Sequence, residues 1–426
     1  MKTINKITVI GGGSTYTPEL VEGFITHKED ITLNELVLFD IDNERLNIVG
    51  GLVKRMIEHA GLSSQVVLTL DRPAAIEGAN FIVSQIRVGG NKARIRDEEI
   101  PLKYNIIGQE TTGPGGTLKA WRTIPVVLDI AHEVEKYAPN AWFVNFTNPS
   151  GIITETLLNH TQLNAVGLCN NPINFFARMS RLFNVPDKEI FLEWIGLNHV
   201  NWVRKVYIQG QDRTSEVIDQ VAKDGVPNYS FDANLVRHLG VIPNNSYLKY
   251  YYFPEKKVEE AKLAEKTRGE VVLEIEKDLL TKYANLDLKI KPPELNLRGG
   301  ALYSEAAIRL ILSIALDKRD IQIVDTLNNG AILDLPYNAS VEIPCVIGAH
   351  GVIPLQMGNL PKTIRNLCQS VKSWESWTVE AGVTGSRDAG LSAFMSNPLV
   401  PSYTVAHDLL EEMLDANREF LPQFFK

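Results

Sequence analysis

Residues 6–10 (KITVI) form a short β-branched run that three glycines stop, and a helical pattern follows over residues 18–27. Strand, tight turn and helix in that order predict the opening of a βαβ unit. Apolar runs return at residues 36–40, 66–70, 81–86, 142–146 and 165–169, with helical patterns between most of them. Nearly continuous apolar strands alternating with helices predict a parallel sheet covered on both faces. Residues 1–170 are therefore expected to form a doubly wound, Rossmann-like α/β domain.

Beyond residue 170 the pattern changes. Helical signals near residues 173–182, 258–284, 302–315 and 406–421 are interleaved with strand-like pieces at 202–208, 321–326 and 341–346. Residues 171–426 thus read as a mixed α+β domain. No internal repeat, low-complexity tract or Ser/Gly linker separates the halves, so a broad interface between them is expected.

A chain of 426 residues is long for one core, which agrees with two domains. Charge narrows the partners: 43 Lys and Arg stand against 51 Asp and Glu, a net charge of −8. That balance offers no broad basic surface to a phosphate backbone, so nucleic acid is not an expected partner. Cys169, Cys345 and Cys368 are odd in number and lack C-x-x-C spacing, which signals neither a disulfide framework nor a zinc ribbon. Reduced thiols suit the cytosol. The first residues lead straight into a strand without the pattern of a secretion signal, and no apolar run reaches membrane-spanning length. A soluble, cytoplasmic protein without membrane partners is the expectation.

The turn Gly11-Gly12-Gly13-Ser14-Thr15 lies where the glycines of a dinucleotide fingerprint belong, between the first strand and the first helix. Glycine permits the tight turn and lets backbone N–H groups approach a pyrophosphate at the helix N-terminus. The third glycine of the fingerprint is replaced by Tyr16. Asp40 ends the second strand, where a carboxylate can hydrogen-bond ribose hydroxyls and repel a 2′-phosphate, favouring NAD over NADP. Asn148-Pro149, after the run at 142–146, is similar to an Asn-Pro found beside the nicotinamide ribose in lactate and malate dehydrogenases, and the second half is expected to resemble their C-terminal domain. Cys169 ends a strand, and His199 follows thirty residues later. By residue type alone, each could be an ordinary core residue or share a metal.

Five separated motifs then combine. These are Gly11-Gly12-Gly13-Ser14-x-x-Thr17-Pro18-Glu19-Leu20; Ile100-Pro101-Leu102-Lys103-Tyr104 with Gly108-Gln109-Glu110-Thr111-Thr112-Gly113; Asn145-Phe146-Thr147-Asn148-Pro149-Ser150-Gly151; Cys169-Asn170-x-Pro172; and Gly196-Leu197-Asn198-His199. In this order they resemble glycoside hydrolase family 4, the NAD- and metal-dependent 6-phosphoglycosidases. Tyr247-Leu248-Lys249-Tyr250-Tyr251 and Arg298-Gly299-Gly300-x-x-Tyr303-Ser304 extend the likeness more loosely. NAD-dependent members of this family lie outside the two-carboxylate scheme of most glycosidases.

The resemblance implies an oxidation and elimination route. NAD+ would take a hydride from C3 of the sugar, and the ketone would make the C2 proton acidic. Loss of that proton would expel the C1 substituent, water would add, and the hydride would return to C3. A divalent cation on Cys169 and His199, with the sugar O2 and O3, would steady the enediolate, a Lewis-acid contribution of several kcal/mol. Ligand softness alone favours zinc for a Cys/His pair, whereas the resemblance implies manganese.

Further roles carry over by position. Tyr247 is the expected base at C2; a phenol with a pKa near 10 needs a nearby cation to act as one at neutral pH. Glu110 is expected to raise its basicity. Arg94 and Asn148 match substrate-binding positions, with Arg268 and then Arg298 weaker candidates for the phosphate. Asn170 stands where α-specific members usually carry Asp; an amide cannot protonate a leaving group, which points to 6-phospho-β-glucosides such as phosphorylated cellobiose or aryl β-glucosides. The α-glucosidase reading, a plain NAD-dependent hydroxy-acid dehydrogenase with His199 as proton acceptor, and a non-catalytic NAD sensor are the alternatives. Assembly as a homodimer or homotetramer is implied by the family.

Overall fold

The computed structural model describes residues 2–224, 231–244, 247–298 and 303–426. Six strands, β1 (Lys2–Ile10), β2 (Ile31–Phe39), β3 (Gln65–Thr69), β4 (Phe81–Ser84), β5 (Trp142–Asn145) and β6 (Asn164–Gly167), pair in parallel in the spatial order β3-β2-β1-β4-β5-β6. Chain direction across the sheet reverses between β1 and β4. A crevice therefore opens at the carboxyl ends of those two strands, the place where open α/β sheets bind ligands. Ile7, Val9, Ile10, Leu36, Leu38, Ile82 and Val83 are buried between helical layers, as parallel strands covered on both faces require. Thr8, the buried polar residue of β1, donates its hydroxyl to Ala75 O at 2.6 Å.

A second, antiparallel sheet comprises β7 (Ile190–Leu197), β8 (Val200–Ile208), β9 (Gln211–Asp212) and β10 (Ile242–Pro243), in the order β10-β8-β7 with β9 on β8. The broad interface between the halves takes a specific form. β11 (Asp320–Leu327), β12 (Ser340–Gly348) and β13 (Gly351–Pro354) add antiparallel to the β6 edge, with Asp325 opposite Gly167. An open β6 edge would leave backbone groups unpaired; the second half covers it.

The central helix Gly113–Tyr137 is buried along most of its first five turns. Trp121 donates its indole N–H to Thr378 O at 3.0 Å, and Trp374 donates to Thr117 Oγ1 at 2.7 Å, which ties this helix to Lys362–Thr384. Arg122 makes a buried two-point contact with Asp97, at 2.9 and 2.6 Å, and reaches Asn417 Oδ1 at 3.0 Å.

The helical signal at 258–284 is two helices, Pro254–Leu263 and Arg268–Ala284; Thr267 starts the second with a capping box to Glu270. The signal at 406–421 is a helix only over Tyr403–Ala416, followed by two short 3₁₀ turns. Leu302, Gly299 and Gly300 lie outside the described residues. Among the described residues no helix is long and apolar enough to cross a membrane.

Candidate active site

Ile10 pairs with Phe39 and Ser84, Ser84 with Asn145, and Asn145 with Gly167. The segments leaving five parallel strands therefore start side by side. Together with His199, Tyr247 and Arg268 they line one cavity of about 900 Å³.

Gly11 has φ +90°, a conformation open to glycine, and the N–H groups of Gly11 and Gly12 both donate to Phe39 O, at 3.0 and 2.7 Å. A Cβ on Gly12 would stand 2.7 Å from Leu38 Cβ. Gly13 N donates to Asp40 Oδ2 at 2.8 Å, which fixes the acid at the end of β2 against the turn. Gly11, Ser14 and Asp40 line the cavity. Gly12, Gly13 and Thr15 are buried beneath it, the Thr15 carbonyl accepting the Tyr283 hydroxyl at 2.8 Å. These three shape the turn from below.

Cys169 leaves β6 and Asn170 starts the helix Asn171–Phe183; both line the cavity, as does Asn148 from the loop after β5. Burial pushes the Cys169 thiol well above its ordinary pKa, and Glu342 adds to the rise. His199 forms the tip of the β7–β8 hairpin with Asn198, at φ +65°. This left-handed conformation, uncommon outside glycine, is pinned from β12. Glu342 accepts from Trp194 Nε1 at 2.8 Å, from Asn198 Nδ2 at 2.9 Å and from Asn201 Nδ2. The His199 ring lies 3.1 Å from Thr111 Oγ1 through Nδ1. Burial lowers its pKa to about 4 against the opposing pull of Glu110, so the imidazole is neutral, the form that ligates metal.

Tyr247 stacks on His199 and lines the cavity. Burial raises its pKa, and Glu110 raises it further. Glu110 itself is largely buried, which by itself would favour its neutral form. Arg87, Lys119 at 2.8 Å and Arg94 at 3.2 Å overcome this and hold it well below the usual carboxylate range. Arg94 also pairs with Glu98 at 2.7 Å. Arg268 donates to Leu297 O and Arg298 O at 3.1 and 3.0 Å, and Arg298 pairs with Glu276 at 3.0 Å; both arginines line the cavity.

Sequence reasoning missed Arg87, Lys119, Gln109 and Thr111. Gln109 and Thr111 flank Glu110 in a quoted motif, and Lys119 follows a run of small and apolar residues at the start of a helix, each a readable signal. With these included, seven Lys and Arg side chains line the cavity against four carboxylates, although the chain as a whole is acidic. Such a field suits an anionic ligand. Among the described residues no group of three or more His, Cys, Asp and Glu gathers as metal ligands, so a cation on Cys169 and His199 would take its other donors from groups of other kinds.

Residues 6–185 match the family model described as Family 4 glycosyl hydrolase, and residues 194–400 match that of the Family 4 glycosyl hydrolase C-terminal domain. The chain is 46% identical to the probable 6-phospho-beta-glucosidase of Bacillus subtilis (strain 168), covering 99% of this chain and 98% of that one. It is 30% identical to the 6-phospho-alpha-glucosidase 1 of Lacticaseibacillus paracasei, over 98% of each chain. The structure of the 6-phospho-beta glucosidase from Thermotoga maritima with manganese, NAD+ and glucose-6-phosphate superposes with a TM-score of 0.92 at 39% identity, covering 97% of this chain and 98% of that one. Malate dehydrogenase from Cryptosporidium parvum, 15% identical, shares the fold alone, with a TM-score of 0.55 over 89% of this chain and 99% of its own. With both halves matched in order, the chain belongs to family 4 of the glycosyl hydrolases.

Proposed function

We infer that this protein hydrolyses 6-phospho-β-glucosides to glucose 6-phosphate and an aglycone, using NAD+ and a divalent cation, manganese by likeness to the Thermotoga maritima complex. The observation that carries the reading is that Gly11, Asp40, Cys169, His199 and Tyr247 line a single cavity. A redox turn, a thiol and neutral imidazole pair, and a candidate base thereby face the same space.

The residues fit both groups. The glycine turn leaves backbone room at the start of the helix Thr17–Thr26, and Asp40 faces the cavity at the end of β2, placed for ribose hydroxyls. Cys169 and His199 offer one soft and one borderline donor, leaving hard oxygen positions to a sugar diol and water. When bound, NAD+ supplies reversible hydride transfer at C3 and the cation supplies positive charge at the C2 and C3 oxygens.

The chain's own groups do the rest. Tyr247 takes the C2 proton, with Glu110 strengthening it as a base. Arg94, Asn148 and Arg268 hold the phosphorylated sugar within the cationic field. Asn170 carries no acidic proton, so protonation of the leaving group falls to water or another group. The greater likeness to a β-named relative, 46% against 30% for the α-named one, supports the same anomer. Assembly as a homodimer or homotetramer follows the family resemblance, and the three free cysteines suit a cytoplasmic location.

Hydrolysis of paired α- and β-linked 4-nitrophenyl glucoside 6-phosphates tests the reading. The β substrate should release 4-nitrophenol only with both NAD+ and Mn2+ present. Preference for the α substrate would overturn the anomer, and turnover without NAD+ would overturn the chemistry.

A further inference from the structure

Glu110 is flanked by two residues that the reaction described so far leaves without a role. The Thr111 backbone N–H donates to Gln109 Oε1 at 2.5 Å. An N–H can meet only the carbonyl end of an amide, so the orientation of Gln109 is settled. The Thr111 hydroxyl donates its single proton to the same oxygen at 2.8 Å. His199 Nδ1 lies 3.1 Å from that hydroxyl oxygen. An oxygen whose proton is directed elsewhere can face a ring nitrogen only as an acceptor, so Nδ1 carries the hydrogen. In a neutral imidazole the lone pair then resides on Nε2.

Two further contacts leave the ring little freedom. Tyr247 lies against one face with the planes 12° apart, and Glu342 holds Asn198, the residue before His199, at 2.9 Å. Thr111 and His199 are both more than nine-tenths buried, so water does not compete for the Nδ1 contact.

We propose that Gln109 and Thr111 are positioning residues that hold His199 in its Nδ1-protonated tautomer and present the Nε2 lone pair to the divalent cation. In water an imidazole samples both tautomers; here the selection is made before the cation arrives. Metal-bound histidines elsewhere use the same device, their second nitrogen donating to a fixed acceptor. The inference rests on Cys169 and His199 being the cation's ligands.

The test uses the full-length, metal-free protein with ¹⁵N-labelled histidine rings, the His199 signals being assigned by their loss in His199→Ala. The expected spectrum shows a protonated Nδ1 and a bare Nε2 at His199; the reverse pattern overturns the proposal. In Gln109→Leu the Thr111 hydroxyl is free to turn its proton toward His199, so the pattern should reverse, and an unchanged pattern overturns the relay. Titration with Mn2+ alone should show affinity falling roughly 10–100-fold in Thr111→Val and returning in Thr111→Ser, with NAD+ affinity unchanged in both. Wild-type Mn2+ affinity in Thr111→Val, with loss in His199→Ala, defeats this inference and leaves the ligand assignment standing. Undiminished Mn2+ binding in His199→Ala defeats the ligand assignment and the inference with it. Should Thr111→Val fail to fold, the wild-type and Gln109→Leu spectra still decide the matter.

Discussion

The imidazole of His199 and the phenol of Tyr247 lie face to face, ring centroids 4.1 Å apart and planes 12° apart. A residue suited to bind a cation and a residue suited to remove a proton thus form one stacked unit. Burial and Glu110 make the Tyr247 phenolate a strong but scarce base. Positive charge delivered next to it restores its population, which is why the base and the cation site belong together.

Tyr247→Phe preserves the stacked ring and removes only the hydroxyl. The expected result is a fall in kcat of roughly 10²–10⁴-fold, the usual contribution of a positioned base, with NAD+ and Mn2+ affinities kept. Steady-state kinetics and binding titrations check this; an unchanged kcat would disqualify Tyr247.

Cys169 has its thiol pushed well above the ordinary range, so it becomes a thiolate only when a cation takes the place of the proton. Mn2+ binding should release a proton and strengthen as pH rises, by up to about tenfold per unit while the thiol stays protonated in the free protein. Cys169→Ser should abolish metal-dependent hydrolysis and that pH dependence while keeping NAD+ affinity. Titration calorimetry in buffers of different ionisation enthalpy reads the proton, and pH-independent Mn2+ binding would remove Cys169 from the site.

Asp40 accepts from Gly13 N at 2.8 Å and from Asp42 N at 3.1 Å while lining the cavity. Asp40→Ala removes a charged hydrogen-bond acceptor worth about 1.5–3 kcal/mol, so NAD+ should bind at least roughly tenfold more weakly. Substrate KM should change far less. Equal effects on both would count against the ribose contact.

Lys119 gives a stability prediction with a definite sign. Burial, helped by Arg87, lowers its pKa to about 7, whereas an unfolded lysine titrates near 10.4. Between those values the unfolded chain binds more protons, so this residue makes stability climb as pH rises from about 7 to about 10. Relative to Lys119→Met, the wild-type Tm should gain across that window and hold a constant offset below it. Thermal melts in matched buffers check this; a constant difference at every pH would contradict it.

The parallel half was legible because its strands are short, nearly unbroken apolar runs ended by glycine or acid, a pattern set by burial on both faces. β7 was harder to read: its sequence, IFLEWIGL, is apolar enough for a buried helix, and its partner β8 supplies the decision. The helix Lys362–Thr384 also escaped notice, since its buried face includes Lys372 and Glu375, polar residues that pair with each other at 2.5 Å and break the apolar stripe. At the site, Cys169, His199 and Tyr247 were reached through motifs, whereas Arg87 needed the fold, because nothing local distinguishes an arginine on Glu110 from one in solvent.

Hydrolysis of 4-nitrophenyl β-glucoside 6-phosphate in deuterated water, followed by NMR of the sugar product, tests the central claim most directly. The account predicts glucose 6-phosphate carrying deuterium at C2 and protium at C3, with no NADH accumulating. Product with protium retained at C2 would contradict it.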